Sequence, residues 1–115
     1  SPTTYTVTVQ SVSLGYGNYA NRYFIDGVQQ ATLSLTEGST YKFDQSATSN
    51  ANHPLRFSTT SNGTHGGGTQ YTTGVTVNGT AGTAGAYTQI TVAVGAPTLY
   101  YYCTNHSGMG GTLNT

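Results

Sequence analysis

The sequence predicts an all-β fold, a two-sheet Greek-key sandwich of seven to eight short strands. Apolar and aromatic residues alternate with polar ones in several short segments, which is the period of a half-buried strand. Clusters of Gly, Asn, Asp and Ser separate these segments. No segment shows the 3.6-residue apolar period of an amphipathic helix. A chain of 115 residues has the size of a single domain, residues 1–115.

Two strands are predicted in the first part of the chain. Residues 5–9 alternate between apolar and polar side chains and predict the first strand. Gly and Asn residues between 15 and 21 interrupt this alternation and predict a loop. Residues 23–25 predict a short second strand, which the turn pair Asp26-Gly27 ends.

A turn signal at Glu37-Gly38 separates the next two strand signals. Leu residues alternate with polar ones over residues 33–35, and residues 41–43 begin another strand after the turn. We therefore expect a hairpin whose loop contains Glu37 and Gly38.

The remaining strand signals lie in the rest of the chain. Short apolar or alternating segments predict strands at residues 53–58, 75–77, 90–94 and 99–103, with a terminal one at 111–113. His53 stands at the entry of the first of these, on the face of Leu55 and Phe57. The turn pair Asn78-Gly79 ends the second.

The composition excludes several functions. Charged residues are 5% of the chain, and three Lys or Arg against three Asp or Glu give a formal net charge of zero. Nucleic acids require clustered cations, and an anionic membrane surface requires a polybasic patch, so we expect neither partner. No apolar run reaches the roughly 20 residues of a spanning helix, so no membrane insertion is expected. Cys103, the single cysteine, cannot form an internal disulfide.

The informative stretch of the chain follows the strand signal at 99–103. Cys103, His106 and Met109 place a thiol, an imidazole and a thioether within seven residues. A short loop can fold these three around one point, and His53 can reach it from a neighbouring strand. Two His, one Cys and a weak Met form the ligand set of blue-copper electron-transfer sites. The sequence therefore predicts a site for one copper ion at His53, Cys103, His106 and Met109.

Each of these residues also has a structural interpretation. A lone Cys or Met is more often a buried apolar side chain, and a sandwich whose Cys, His and Met are incidental is an alternative. Zinc accepts one Cys and two His, but it ranks below copper because it makes little use of a thioether. Cys103 and His106 could form a nucleophile pair, but the sequence supplies neither an oxyanion hole nor a substrate pocket. We therefore expect no enzyme.

At these residues the chain resembles the cupredoxins, the family of small type 1 copper sandwiches. The C-x2-H-x2-M spacing of Cys103, His106 and Met109 is similar to the short ligand loop of amicyanin. Residues 31–43 resemble the family's unit of an apolar strand, a Glu-Gly turn and a second strand. The resemblance implies His53, Cys103 and His106 as equatorial copper ligands and Met109 as the axial ligand.

The chain departs from the family's pattern beside the first histidine. Many cupredoxins have Asn directly after this His, where it ties the two ligand loops together, but here that position is Pro54. Asn105 and Ser107, on either side of His106, are the candidates to replace this tie. His65 lies in a Gly-rich loop, and we expect it to be exposed unless the loop folds over the site.

The resemblance implies outer-sphere transfer of one electron at a time. His106 then has its ring edge near the surface, and a redox partner protein or a neighbouring domain docks beside it. Tyr102 matches a position where some cupredoxins hold a surface aromatic that offers a second electron exit, whereas alternation places Tyr101 in the core. We expect an isolated domain of this kind to be a monomer.

The alternative function is a copper-binding structural module of a larger protein. The Thr-, Gly- and Tyr-rich, charge-poor composition is similar to that of modules in extracellular or virion proteins, including phage structural proteins. Either reading implies an extracytoplasmic (periplasmic or secreted) or virion-associated location.

Overall fold

The structure is a computed structural model and describes residues 2–115. Its ten strands are β1 Thr3–Gly15, β2 Asn18–Ile25, β3 Val28–Gln29, β4 Leu33–Ser34, β5 Thr40–Asp44, β6 Leu55–Ser58, β7 Val75–Asn78, β8 Tyr87–Thr91, β9 Leu99–Cys103 and β10 Gly111–Asn114. Two short 3₁₀ helices, Thr48–Asn50 and Gly63–Gly66, follow β5 and β6. Across the described residues, no helix is long and apolar enough to cross a bilayer.

The strands form two mixed sheets that pack as a sandwich, which confirms the predicted fold class. The six-stranded sheet has the order β3-β2-β1-β5-β8-β7, and the four-stranded sheet has the order β4-β10-β9-β6. Most neighbours are antiparallel, but β1 and β5 are parallel, as are β4 and β10. The predicted strand number is too low because β3 and β4 have two residues each, too few to show an alternation.

The first two strands are longer than predicted and form a hairpin. β1 and β2 continue as paired strands through residues 15–21, joined by a two-residue turn, so the prediction of a loop there is wrong. The ribbon leaves the sandwich toward its tip, where Leu14, Tyr16 and Tyr19 are exposed. Since neither face of this part is buried, its pairing requires no alternation of apolar residues.

The predicted hairpin around Glu37 and Gly38 does not form. β4 pairs with β10 in the four-stranded sheet, whereas β5 lies between β1 and β8 in the other. The turn itself is present, since the Ser39 N–H donates to the Thr36 carbonyl at 3.1 Å. It carries the chain from one sheet to the other. Both strands bury apolar side chains in the same core, so alternation alone cannot distinguish pairing within a sheet from packing across the sandwich.

Aromatic rings hold the two sheets together. Phe43 of β5 is fully buried, and its ring centroid lies 5.3 to 6.3 Å from those of Tyr5, Phe57 and Tyr101. Tyr5 belongs to the same sheet as Phe43, whereas Phe57 and Tyr101 belong to the opposite sheet. Offset and edge-on aromatic contacts add to the stabilisation from burial. This cluster therefore fixes β6 and β9 against the larger sheet.

Candidate metal centre

The predicted ligand residues lie at one end of the four-stranded sheet. β6 and β9 are antiparallel, and Leu55, the first residue of β6, pairs with Cys103, the last residue of β9. The start of one strand and the end of the other therefore meet at the same edge. His53 precedes β6 by two residues, and the ligand loop, residues 104–110, follows β9.

Three of the predicted residues come together at this edge. His53, Cys103 and His106 place their ligand atoms within 4.8 Å of one another. The Sγ atom of Cys103 lies 3.7 Å from Nδ1 of His53 and 3.7 Å from Nδ1 of His106. The two imidazole centroids are 4.7 Å apart. In residues 2–115, no other group of three His, Cys, Asp or Glu side chains converges in this way.

The spacing of the three donor atoms fits a trigonal metal site. A metal bond of about 2.3 Å to sulfur and one of about 2.0 Å to imidazole nitrogen, opened by about 120°, place the two atoms about 3.7 Å apart. Both sulfur–nitrogen distances have this value. Thiolate and imidazole donors without a carboxylate favour copper or zinc over magnesium, calcium or manganese.

Met109 lies on the inner side of the ligand loop. Its side chain is 1% exposed and belongs to the same buried cluster as Cys103. Its carbonyl accepts a hydrogen bond from the Tyr23 N–H at 3.0 Å. The loop thus returns to the core after its exposed section. That the Met109 sulfur completes the site stays a prediction.

A buried hydrogen-bond network fixes the backbone of His53. Its carbonyl accepts from the Tyr23 hydroxyl at 2.6 Å and from the Gln45 amide at 2.8 Å. Its N–H donates to the Asn50 carbonyl at 2.8 Å. Gln45 also accepts from the Leu55 N–H at 2.9 Å. A fully bonded polar network in a low-dielectric interior specifies one arrangement, so the backbone position of His53 is set by the fold.

The two ligand segments are tied together despite Pro54. Nδ2 of Asn105 donates to the Asn52 carbonyl at 2.9 Å, and the Thr104 N–H donates to the Pro54 carbonyl at 3.1 Å. Asn105, one of the two candidates to replace the family's Asn, therefore makes a tie of this kind. Ser107, the other candidate, instead accepts a hydrogen bond from Asn62, in a third segment.

The exit of the ligand loop is also anchored. Nε2 of Gln30 donates to the carbonyls of Gly108 and Gly110, at 3.1 and 2.9 Å. Gly110 lies so close to β9 that a Cβ atom there would overlap the carbonyl oxygen of Tyr101. The residues on both sides of Met109 are therefore held in place, Gly108 by Gln30 and Gly110 by Gln30 and by close approach to Tyr101.

Tyr102 is not a surface aromatic, so that prediction is wrong. Its side chain is 1% exposed, because the 3₁₀ helix Gly63–Gly66 covers the outer face of β9. The ring packs against Gly63, where a Cβ would overlap it, and meets the His65 ring edge-on at 6.3 Å between centroids. Tyr101, on the other face of β9, lies in the core as predicted. Tyr102 therefore offers no exposed route for electrons.

His65 is exposed, as predicted, but it also contacts the site's backbone. Its Nε2 lies 2.7 Å from the Cys103 carbonyl oxygen. His65 is outside the group of ligand atoms that converge within 4.8 Å. It therefore touches a ligand residue without joining the ligand set.

Solvent reaches the site from the side of His106. Cys103 is fully buried and His53 is 8% exposed, whereas His106 is exposed. Burial, together with the nearby His106, lowers the pKa of His53. Burial also raises the pKa of Tyr23 far above its usual value, and the nearby Cys103 side chain adds to this effect. Neutral imidazole is the metal-binding form, so the lowered pKa keeps His53 ready to bind.

We expect the metal-free protein to lose stability in mild acid through His53. Since the pKa of His53 is lowered in the folded state, the unfolded chain takes up the proton first. The stabilisation that comes from keeping His53 neutral is therefore fully present above about pH 6.5. It is lost as the pH falls from there through the lower pKa of His53 in the folded protein. Urea denaturation at several pH values measures this slope, and His53→Gln should reduce it. An equal slope in both proteins would contradict the prediction.

No protein-family model matches the chain, and a search of the curated proteins finds no match either. That the chain belongs to the cupredoxins therefore stays a prediction. A sandwich alone does not imply a function, since one fold serves many. What bears on function in this chain is the convergence of His53, Cys103 and His106.

Three residues that shape the site were missed by sequence reasoning: Tyr23, Gln45 and Asn62. Gln45 had a usable signal, because it continues the inward alternation of Tyr41 and Phe43 and is polar at a core position. A buried polar side chain must find partners. Tyr23 and Asn62 had no such signal, since their contacts come from segments distant in the chain.

Proposed function

We propose that this chain is a mononuclear type 1 copper protein that transfers single electrons. His53, Cys103 and His106 are the equatorial ligands and Met109 is the axial ligand. The observation that carries the proposal is the pair of 3.7 Å distances from the Cys103 sulfur to the two imidazole nitrogens. These atoms come from segments fifty residues apart, and their convergence is not required by either strand's own packing.

The chemistry of the donor set supports copper over zinc. One thiolate, two imidazoles and a buried thioether form a soft set, and copper is the metal that makes use of a long thioether contact. The burial of Met109 in the cluster of Cys103 is consistent with this role. The bound ion would supply the Cu(I)/Cu(II) couple.

The protein itself would hold the copper ligands in position before the metal binds. Hydrogen bonds hold the backbone of His53 and of the ligand loop on both sides. Ligands that are fixed in this way change little when the charge at the site changes, which favours rapid transfer. Buried Cys103 keeps water from one side, and exposed His106 supplies an edge toward an outside donor or acceptor.

We further propose that a redox partner, or a neighbouring domain, docks around His106. The residues beside it, Asn105 and Ser107, are exposed and uncharged. One cation, Arg22, has its guanidinium against Gly108. With so little charge, electrostatic steering is weak, and contact relies on close fit. An extracytoplasmic or virion-associated setting belongs to the same proposal.

A second candidate is the structural copper module of a larger extracellular or virion protein. The β1–β2 ribbon favours it, since Leu14, Tyr16 and Tyr19 are exposed on a projecting hairpin. Large exposed apolar side chains often mark contact surfaces. In this function the copper stabilises the ligand loops and need not cycle.

Titration with Cu(II) tests the proposal. We expect one copper per chain, an intense visible band from thiolate-to-copper charge transfer, and reversible one-electron reduction by voltammetry. Binding with poor reversibility would favour the structural module. A protein that stays colourless and binds no copper would overturn both candidates.

A further inference from the structure

We infer that Asn62 is a positioning residue for the copper site: its side-chain amide holds the two residues between His106 and Met109. This inference rests on the proposed function. It concerns a residue outside both ligand segments, in the loop that precedes the 3₁₀ helix Gly63–Gly66.

Both ends of the Asn62 amide bond to the ligand loop. Its Nδ2 donates to Oγ of Ser107 at 2.8 Å, and its Oδ1 accepts from the Gly108 N–H at 2.8 Å. Ser107 and Gly108 are the whole link between His106 and Met109. A single side chain therefore holds both residues that connect His106, the exposed equatorial ligand, to Met109, the buried axial ligand.

The loop that carries Asn62 is itself fixed to β9. Asn62 has a φ of 64°, in the left-handed region that Asn tolerates better than most residues. Gly63, the next residue, packs directly on the Tyr102 ring. His65 reaches the Cys103 carbonyl at 2.7 Å. The Asn62 amide is thus held in a defined position relative to Cys103, the central ligand.

Without the Asn62 amide, few other side-chain contacts would fix the conformation of Ser107 and Gly108. Gly108 has a φ of 78° and no side chain, so this step can change conformation readily. The remaining side-chain hydrogen bond to these two residues runs from Gln30 to the Gly108 carbonyl. Outer partners orient metal ligands and tune the metal, and the axial ligand tunes the redox potential. Loss of the amide should therefore loosen His106 and Met109 together.

The test compares Asn62→Ala with Asn78→Ala. Asn78 is the control because it also begins an Asn-Gly-Thr triplet, while its Nδ2 donates to the Gly85 carbonyl at 2.9 Å and not to the ligand loop. We expect Asn62→Ala to lower copper affinity by about 10–100-fold, to shift the visible bands and the reduction potential, and to speed amide exchange of Gly108 in the metal-free protein. Asn78→Ala should match the wild type in each.

A conservative variant separates positioning from loop stability. Asn62→Asp keeps an acceptor for the Gly108 N–H and can accept from the Ser107 hydroxyl, so it should restore slow exchange at Gly108. Wild-type copper binding and spectra in Asn62→Ala would overturn the inference alone. A wild type that binds no copper would overturn the proposed function, and the positioning role with it.

Discussion

Replacement of Cys103 by Ala should abolish the visible copper band and most of the copper affinity. The Cys103 sulfur lies 3.7 Å from Nδ1 of both imidazoles, and Cys103 is the only cysteine in the chain. Its loss leaves two imidazoles and a thioether, which form a weaker set for copper. We expect the fall in affinity to exceed the roughly 10–100-fold cost of losing an outer partner. Isothermal titration calorimetry with Cu(II) measures the affinity, and visible spectroscopy measures the band.

Two controls accompany Cys103→Ala: one tests whether loss of the other sulfur ligand has the same effect, and one tests whether the variant still folds. Met109→Leu conserves core volume and should keep the band while changing the reduction potential. Thermal unfolding of metal-free Cys103→Ala should show a destabilisation within the roughly 0.5–3 kcal/mol common for point substitutions. A folded Cys103→Ala protein that still turns coloured with Cu(II) would show that the thiolate is not a ligand.

Replacement of Gly110 by Ala should have the largest effect on stability. A Cβ at this position would overlap the carbonyl oxygen of Tyr101, which is backbone and cannot rotate away. The substitution must therefore separate β9 from the start of β10, or displace Met109. We expect a loss of about 3 kcal/mol or more in the free energy of unfolding, at the upper end of overpacking effects. Denaturation in urea measures it.

Gly95→Ala is the control for this substitution. Gly95 has a φ of 78° and open space around its missing Cβ. Alanine there meets only the cost of a left-handed backbone, about 1–2 kcal/mol. Equal destabilisation by the two substitutions would mean that close approach to β9 does not constrain Gly110. Because Gly110 follows Met109, a weakened copper site in Gly110→Ala is expected as well.

Parts of the fold and site could be predicted from short stretches of sequence. The strand β9, Leu99–Cys103, has the predicted bounds because it is a continuous apolar run buried on both faces. The short spacing between Cys103, at the end of β9, and His106, in the ligand loop, indicated that these two donors could act together, and they converge. His53 was placed at a strand entry by the alternation of Leu55 and Phe57, and it lies there.

Other features depended on contacts that no local pattern encodes. The segment 33–43 reads as a hairpin, but its two strands belong to different sheets. Tyr102 reads as an exposed residue, but a distant Gly-rich loop covers it. Asn62 reads as an ordinary turn residue, but its amide spans the step between two predicted ligands.

Alternation and residue type are local properties, so short stretches of sequence were enough to predict the all-β class and the chemical types of the candidate ligands. Which segments cover each strand, and that the ligand atoms of His53 and Cys103 converge at one point, became visible only in the folded chain. Alternation shows only that a side chain faces an apolar surface or water. Which distant segment supplies that surface, and at what distance, depends on how the whole core packs.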